Sequence, residues 1–171
     1  MRIILASKSG VRKKILNDFK IDCQVIASQV DEDEVKQSLL AEGADPLIIS
    51  KNLAEIKSIK VSSKNPDRLV IGADSVISLQ DQLINKPRSR DEAFLILKKL
   101  NNTVHYLISS VCISKNGAMV WNHSDSSELK MKNLTERQLK DYLGKIDTKI
   151  LLAYGVYQIE AEGVNLFEYI K

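Results

Sequence analysis

The run Val70-Ile71-Gly72-Ala73-Asp74-Ser75-Val76-Ile77 constrains this chain most: it is apolar or small everywhere except at Asp74. Residues 69–73, from Leu69 just before it to Ala73, read as a strand buried on both faces, of the kind found at the centre of a helix-covered sheet. A carboxylate in such a place is costly unless it is paired, hydrogen-bonded or bound to a metal. The opening stretch Ile3-Ile4-Leu5-Ala6-Ser7-Lys8-Ser9-Gly10-Val11-Arg12 adds a second constraint. An apolar strand-like run there stops at small hydroxyl residues, and a helix pattern with a cation in its first turn follows. Backbone N–H groups at a helix start favour an anion. An anion cradle together with a buried carboxylate suggests nucleotide chemistry.

At 171 residues, one compact domain spanning 1–171 with a real core is expected. A hydrophobic content of 44% and a charged content of 27% fit a soluble globular protein. The net charge is only +3, with short cationic clusters at Arg12-Lys13-Lys14 and Lys98-Lys99. There is no basic arm and no aromatic–basic interleaving, so a nucleic-acid partner is not expected. A small polyanion suits this balance better. Cys23 and Cys112 read as buried free thiols, and no Cys/His spacing suggests zinc. Met1-Arg2 precedes too short an apolar run for a signal peptide. No run reaches the roughly 18 apolar residues of a membrane span. A cytoplasmic protein without membrane attachment is expected.

Strands are expected at 2–6, 23–27, 69–73, 104–114, 118–121 and 123–131, with a hairpin joining 76–79 to 83–84. Helices are expected at 11–19, from Asp45-Pro46 to about Val61, from Ser89 to Leu100, and from Thr135 to about Gly144. Val11, Ile15, Leu16 and Phe19 share one face of the first, and Ile49, Leu53, Ile56 and Ile59 stand near helical spacing in the second. Ser89-Arg90-Asp91-Glu92 and Thr135-Glu136-Arg137-Gln138 read as capping boxes, the latter with Leu134 and Leu139 as a hydrophobic staple. Asn116-Gly117 is a type I′ hairpin signal. Residues 164–170 read as an apolar tail. Helices and strands alternate early and hairpins dominate later, which gives an α/β class with a mixed sheet.

Asp74 is expected at the end of its strand, where open α/β sheets place ligands. It can act as a base toward water or as a Mg²⁺ ligand, or it can cap a turn beside Ser75. Lys86, held extended by Pro87, either meets a phosphate as a point charge or is a solvated surface lysine. Ser7, Ser9 and Arg12 form either an anion cradle or an ordinary Ser-capped helix start. The P-loop and dinucleotide glycine patterns are missing. Of Asp31-Glu32-Asp33-Glu34, one carboxylate is a candidate metal ligand, and three read as a solvated helix start. His105 and His123 read as structural, and no nucleophilic triad is visible.

With these residues assembled, the chain resembles the Maf family, also called septum-formation-inhibitor-like proteins, along nearly its whole length. Residues 3–12 match L-A-S-x-S-x-x-R, and Val30-Asp31-Glu32 matches V-D-E. Leu53-Ala54-Glu55-Ile56-Lys57 matches L-A-x-x-K, and residues 70–76 match I-G-A-D-[ST]-V. Lys86-Pro87 matches K-P, the helix over 91–100 matches E-A-x-x-x-L-x-x-L, and His105 falls at a position where the family often carries histidine. The resemblance implies a mixed twisted sheet flanked by helices, of Maf/inosine-triphosphatase type. It also implies nucleoside triphosphate pyrophosphatase activity, cutting between the α- and β-phosphates with a divalent cation, Mg²⁺ or Mn²⁺. On it, Asp74 is the catalytic base, Lys57 and Lys86 neutralise charge, and Ser7 and Arg12 contact phosphates. Glu32, with Asp74, is the metal ligand, and a homodimer is one implied assembly.

The departures bear on specificity. Val11 stands at the first of two positions where many members carry adjacent arginines, and Arg12 at the second. Tyr157-Gln158-Ile159-Glu160 stands where many carry Tyr-Gly-Ile-Gln, so Glu160 replaces Gln. Both changes resemble the branch acting on 7-methyl-GTP more than the one acting on dTTP and UTP, and they make Glu160 a substrate-binding candidate. Ser75 matches neither branch. The sequence ends at Lys171, where members usually continue through a G-L-P turn and a last helix. The second functional expectation is a catalytically weak nucleotide-binding protein acting in septum formation through a protein partner.

Overall fold

The computed structural model describes residues 2–171. The chain runs β1 (Ile3–Leu5), α1 (Gly10–Asp18), β2 (Cys23–Val25), α2 (Glu32–Ala41), α3 (Pro46–Ser62), β3 (Val70–Leu79) and β4 (Gln82–Ile84). It continues with α4 (Arg90–Leu100), β5 (Val104–Lys115), β6 (Ala118–Met131), α5 (Glu136–Gly144), α6 (Thr148–Tyr154), a 3₁₀ turn (Glu162–Leu166) and β7 (Phe167–Ile170). Hydrogen bonds order the strands β2-β1-β3-β5-β6-β7, with β4 paired to β3. β1 pairs in parallel with β2 and β3, whereas β3–β4 and β6–β7 are antiparallel. The fold is thus the mixed α/β class expected. The backbone forms two compact units, one of residues 2–75 and 108–125, the other of 76–107 and 126–171.

In the first unit, Ile4, Ala6, Val61 and Val70 form a core cluster against which Ile26 packs. Asp45 starts α3 by accepting the Ile48 N–H at 2.8 Å, with Pro46 in the first turn. The buried face of α3 carries Ile49, Ser50, Leu53, Ala54, Lys57, Ser58, Val61 and Ser62. The expected stripe was wrong at Ile56, which is 36% exposed. Small and polar side chains occupy part of the sheet-facing side, so apolarity alone misplaced the face. α1 departs further: it has no buried residue, and Phe19 just beyond it is 76% exposed. It lies against β2, a three-residue edge strand that offers little surface to cover it. At the β5–β6 hairpin, Asn116 (φ 51°) and Gly117 (φ 76°) adopt the left-handed pair a type I′ turn requires. Residues 118–131, expected as two strands, form the single strand β6.

In the second unit, Leu97, Leu100, Leu129, Met131, Leu139 and Leu151 are buried in one cluster that also takes up Leu134. The Thr135 capping box is complete. The one at Ser89 is only half formed: Ser89 accepts the Glu92 N–H, but the Glu92 carboxylate accepts from Arg88 N at 2.7 Å. α6 was not anticipated, because Leu151 is its one buried residue and leaves no periodicity to read. Asp147 and Arg90 nevertheless hold its start, through Lys149 N and through Ile146 O and Thr148 Oγ1. The apolar tail includes β7, which zips onto β6. His105 is fully buried, with Nε2 3.1 Å from the Tyr157 hydroxyl and the Tyr157 and Phe167 rings around it. Burial pushes its pKa down to about 4.

Cys23 and Cys112 are buried free thiols. Among the described residues, no helix is long and apolar enough to cross a membrane.

Candidate active site

Asp74 does not end its strand, as the sequence suggested, but is an interior residue of β3. The pairing of β1 with β3 stops at Leu5 opposite Ile71, and the Ala6 N–H makes a further bond to Ile71 O at 2.8 Å. β1 ends at Leu5 while β3 continues past Asp74. The carboxyl end that lies at this point is therefore that of β1, not β3. A cation neutralises Asp74, so the strand has no need to break there.

That cation is Lys57, which projects from the buried face of α3. Its Nζ lies 2.8 Å from Asp74 Oδ1 and 2.7 Å from Glu32 Oε1. Lys57 and Asp74 are only 4% and 5% exposed. Glu32 opens α2, where Asp31 acts as the N-cap by accepting from Glu34 N at 3.0 Å. Asp31, Asp33 and Glu34 are exposed, so of the four acids Glu32 turns to Lys57. Burial pushes the Asp74 carboxyl up; Lys57 and Arg12 oppose this, while Glu32 reinforces it. Burial lowers the Arg12 guanidinium, and Asp74 and Glu32 hold it up.

Arg12 comes from the turn after β1. Ser9 caps α1 by accepting the Arg12 N–H at 3.3 Å. Ser7 is buried, and its Oγ accepts from Ser9 N at 3.1 Å and from Arg12 Nη1 at 3.2 Å. Both hydroxyls therefore brace the turn: they take the Arg12 N–H and one guanidinium N–H, and the Gly10 and Val11 N–H groups and the rest of the guanidinium are what the turn can offer an anion. Ser7, Ser9, Arg12, Glu32, Lys57 and Asp74 thus come together in the first unit. Lys86 and Glu160 belong to the second and are exposed. Lys86 precedes the buried Pro87, and its Cγ lies 3.9 Å from where a Cβ on Gly155 would sit.

Among the described residues, no three His, Cys, Asp or Glu side chains cluster as a metal set. Two carboxylates still converge on Lys57, and Asp74 Oδ2 is buried without a hydrogen-bond partner. An orphaned anionic oxygen in a low-dielectric place is costly. Hard oxygen donors of this kind fit Mg²⁺ or Mn²⁺.

Sequence reasoning missed the hydroxyls behind Asp74. Ser50 Oγ lies 3.2 Å from the Asp74 carbonyl oxygen and 2.9 Å from Ser110 Oγ, and Ser110 Oγ is 2.8 Å from Ser124 Oγ. Ser58 and Ser114 form another buried pair at 2.7 Å. The signal was the four-residue recurrence of small residues at Ser50, Ala54, Ser58 and Ser62.

A family model described as Maf-like protein matches residues 2–171. A nucleoside triphosphate pyrophosphatase of Pelagibacter ubique is 57% identical over 99% of this chain and 87% of its own length. A protein of the same description from Caulobacter vibrioides is 38% identical over 99% of this chain and 84% of its own. A 7-methyl-GTP pyrophosphatase of Brucella abortus is 34% identical over 99% of this chain and 85% of its own. Among solved structures, a nucleoside-triphosphatase / dITP/XTP pyrophosphatase of Mycobacterium abscessus overlays with a TM-score of 0.48 at 12% identity, over 78% of this chain and 76% of that one.

Proposed function

The chain belongs to the Maf-like protein family, and from that premise we propose that it is a nucleoside triphosphate pyrophosphatase. The observation that carries the reading is the buried Lys57 held between Glu32 and Asp74, with Asp74 Oδ2 unpartnered. Water attacks the α-phosphorus, the bond to the bridging oxygen breaks, and pyrophosphate leaves from a nucleoside monophosphate. Asp74 takes the proton of the attacking water. Lys57 holds the carboxylate in place through Oδ1, and burial keeps it basic. The Arg12 guanidinium and the Gly10 and Val11 N–H groups of α1 bind the polyphosphate, and Ser7 and Ser9 fix their direction. Glu32 and Asp74 would hold a divalent cation, which supplies charge neutralisation on the phosphate oxygens.

The substrate class we favour is a guanine nucleotide carrying a methyl group, such as 7-methyl-GTP. Glu160 supports this, since a carboxylate accepts from a guanine edge and attracts a cationic ring; the naming of the Brucella relative points the same way. The uninterrupted family match over 2–171 supports one functional domain. The two free thiols support a reducing, cytoplasmic location.

The test is pyrophosphate release from a panel of common and methylated triphosphates with Mg²⁺ or Mn²⁺. Asp74→Asn should lower kcat on the best substrate by about 10²–10⁴, the scale of a lost general base. Normal turnover by that variant would remove Asp74 as the base, and orthophosphate as the product would reject the reaction.

A further inference from the structure

Gly72 lies two residues before Asp74 on β3, with its missing side chain directed at α3. A Cβ there would collide with the Ala54 carbonyl oxygen and stand 2.7 Å from the Ser58 backbone nitrogen and 2.9 Å from Ser58 Cβ. The two shortest contacts are to backbone, which cannot rotate aside. Gly72 is not among the glycines with positive φ. What the position demands is room, not an unusual conformation.

We infer that Gly72 is a positioning residue, whose bare Cα lets α3 lie close enough to β3 for the Lys57 ammonium to join Glu32 and Asp74. The inference deepens the proposed function, because it assigns a residue to the assembly of that site. Ordinary van der Waals contact begins near 3.4 Å, so one methyl at position 72 must drive the two backbones apart by about 1 Å. Glu32 decides what happens next. It belongs to α2, which packs on α3, so a displacement of α3 carries Glu32 along. Glu32 holds Lys57 at 2.7 Å, whereas Asp74 stays on β3. The ammonium follows Glu32, and its 2.8 Å contact with Asp74 opens. Gly72 therefore acts through Lys57 and touches no substrate.

The experiment compares wild type with Gly72→Ala by two readouts. The first is the ¹⁵N-detected ammonium resonance of Lys57, assigned by its loss in Lys57→Arg, which is visible only while buried hydrogen bonds slow its exchange. The second is steady-state pyrophosphate release from the best triphosphate. Gly72→Ala should keep its far-UV circular dichroism and lose the protected resonance. Its kcat should fall by about 10²-fold, the scale of a catalytic group misplaced by 1 Å, with KM within about twofold. Ala54→Val thickens the same seam from the helix side and should do likewise. Gly144→Ala, where an added Cβ meets nothing within 4 Å, should change neither readout. A folded Gly72→Ala that keeps the resonance and kcat overturns the inference. So does failure of both seam variants to fold, since the close approach would then serve the fold as a whole. If wild type releases no pyrophosphate, the proposed function falls, while the resonance still decides the role of Gly72.

Discussion

Replacing His105 with Gln should flatten the loss of stability that this protein suffers in acid. His105 is 0% exposed, with Nδ1 lacking a hydrogen-bond partner, and burial holds its pKa at about 4 against an ordinary value of 6.5. The folded state therefore resists a proton that the unfolded chain accepts. A pKa depressed on folding gives stability that is fully present above pH 6.5 and is lost as pH falls toward 4. At about 1.36 kcal/mol per pH unit, the whole effect is about 3 kcal/mol, of which about 2 kcal/mol is lost between pH 7.5 and 5.0. Gln does not titrate, and its amide can keep a hydrogen bond to the Tyr157 hydroxyl. The buried Asp74 carboxyl, raised in the folded state, works in the opposite sense, favouring the folded state in acid. It is present in both proteins and cancels in their difference. Urea unfolding followed by far-UV circular dichroism at the two pH values gives that difference directly. Gln will change stability at pH 7.5 by its own packing cost, and this cancels too. Wild type should lose about 2 kcal/mol more than His105→Gln on acidification. Parallel losses, equal within about 0.5 kcal/mol, would refute the reasoning, because His105 would then titrate alike in both states.

Two further outcomes follow from the site. Chelation with EDTA should abolish pyrophosphate release, and added Mg²⁺ or Mn²⁺ should restore it; full activity in chelator would remove the cation assigned to Glu32 and Asp74. Wild type should show a higher kcat/KM on 7-methyl-GTP than on dTTP or UTP, and Glu160→Gln should narrow that gap by about fivefold, the low end for an acceptor–acceptor mismatch because Glu160 is exposed. Equal rates on all three substrates in both proteins would take Glu160 out of base selection.

Much of the first unit was legible because local chemistry fixes it. Asp45-Pro46 starts a helix whatever surrounds it, and Asn116-Gly117 makes its turn from backbone preference alone. Asp74 was visible as a carboxylate among apolar residues, but its partner came only through the family resemblance. Lys57 lies on a helix face whose apolar pattern is diluted by serines, so periodicity put Ile56 inside and gave lysine no reason to be there. The strand boundary at Asp74 was misplaced because a charge reads as an end until its counter-charge is known. α1 failed for another cause: its apolar residues obey helical spacing, yet β2 is too short to cover them. Gly72 was quoted within a motif, but the backbone of α3 standing above it is a tertiary fact that no local pattern carries.

The serines of α3 also act as a ruler. A stripe of small residues repeating every four positions looks nearly the same to the sheet after a slip of one turn, so shape alone does not set where the helix stops. The hydroxyl pairs do. Ser50 and Ser58 are eight residues apart on a helix, about 12 Å at 1.5 Å per residue. Their partners Ser110 and Ser114 are four apart on β5, about 13 Å at 3.3 Å per residue. The two spacings coincide, so both pairs close in the same placement. A slip of one turn, about 5.4 Å, puts Ala54 or Pro46 opposite Ser110, so the two pairs no longer close together, and it carries Lys57 out of reach of Asp74. Hydroxyls remote from any phosphate thus hold the alignment on which the buried ammonium depends.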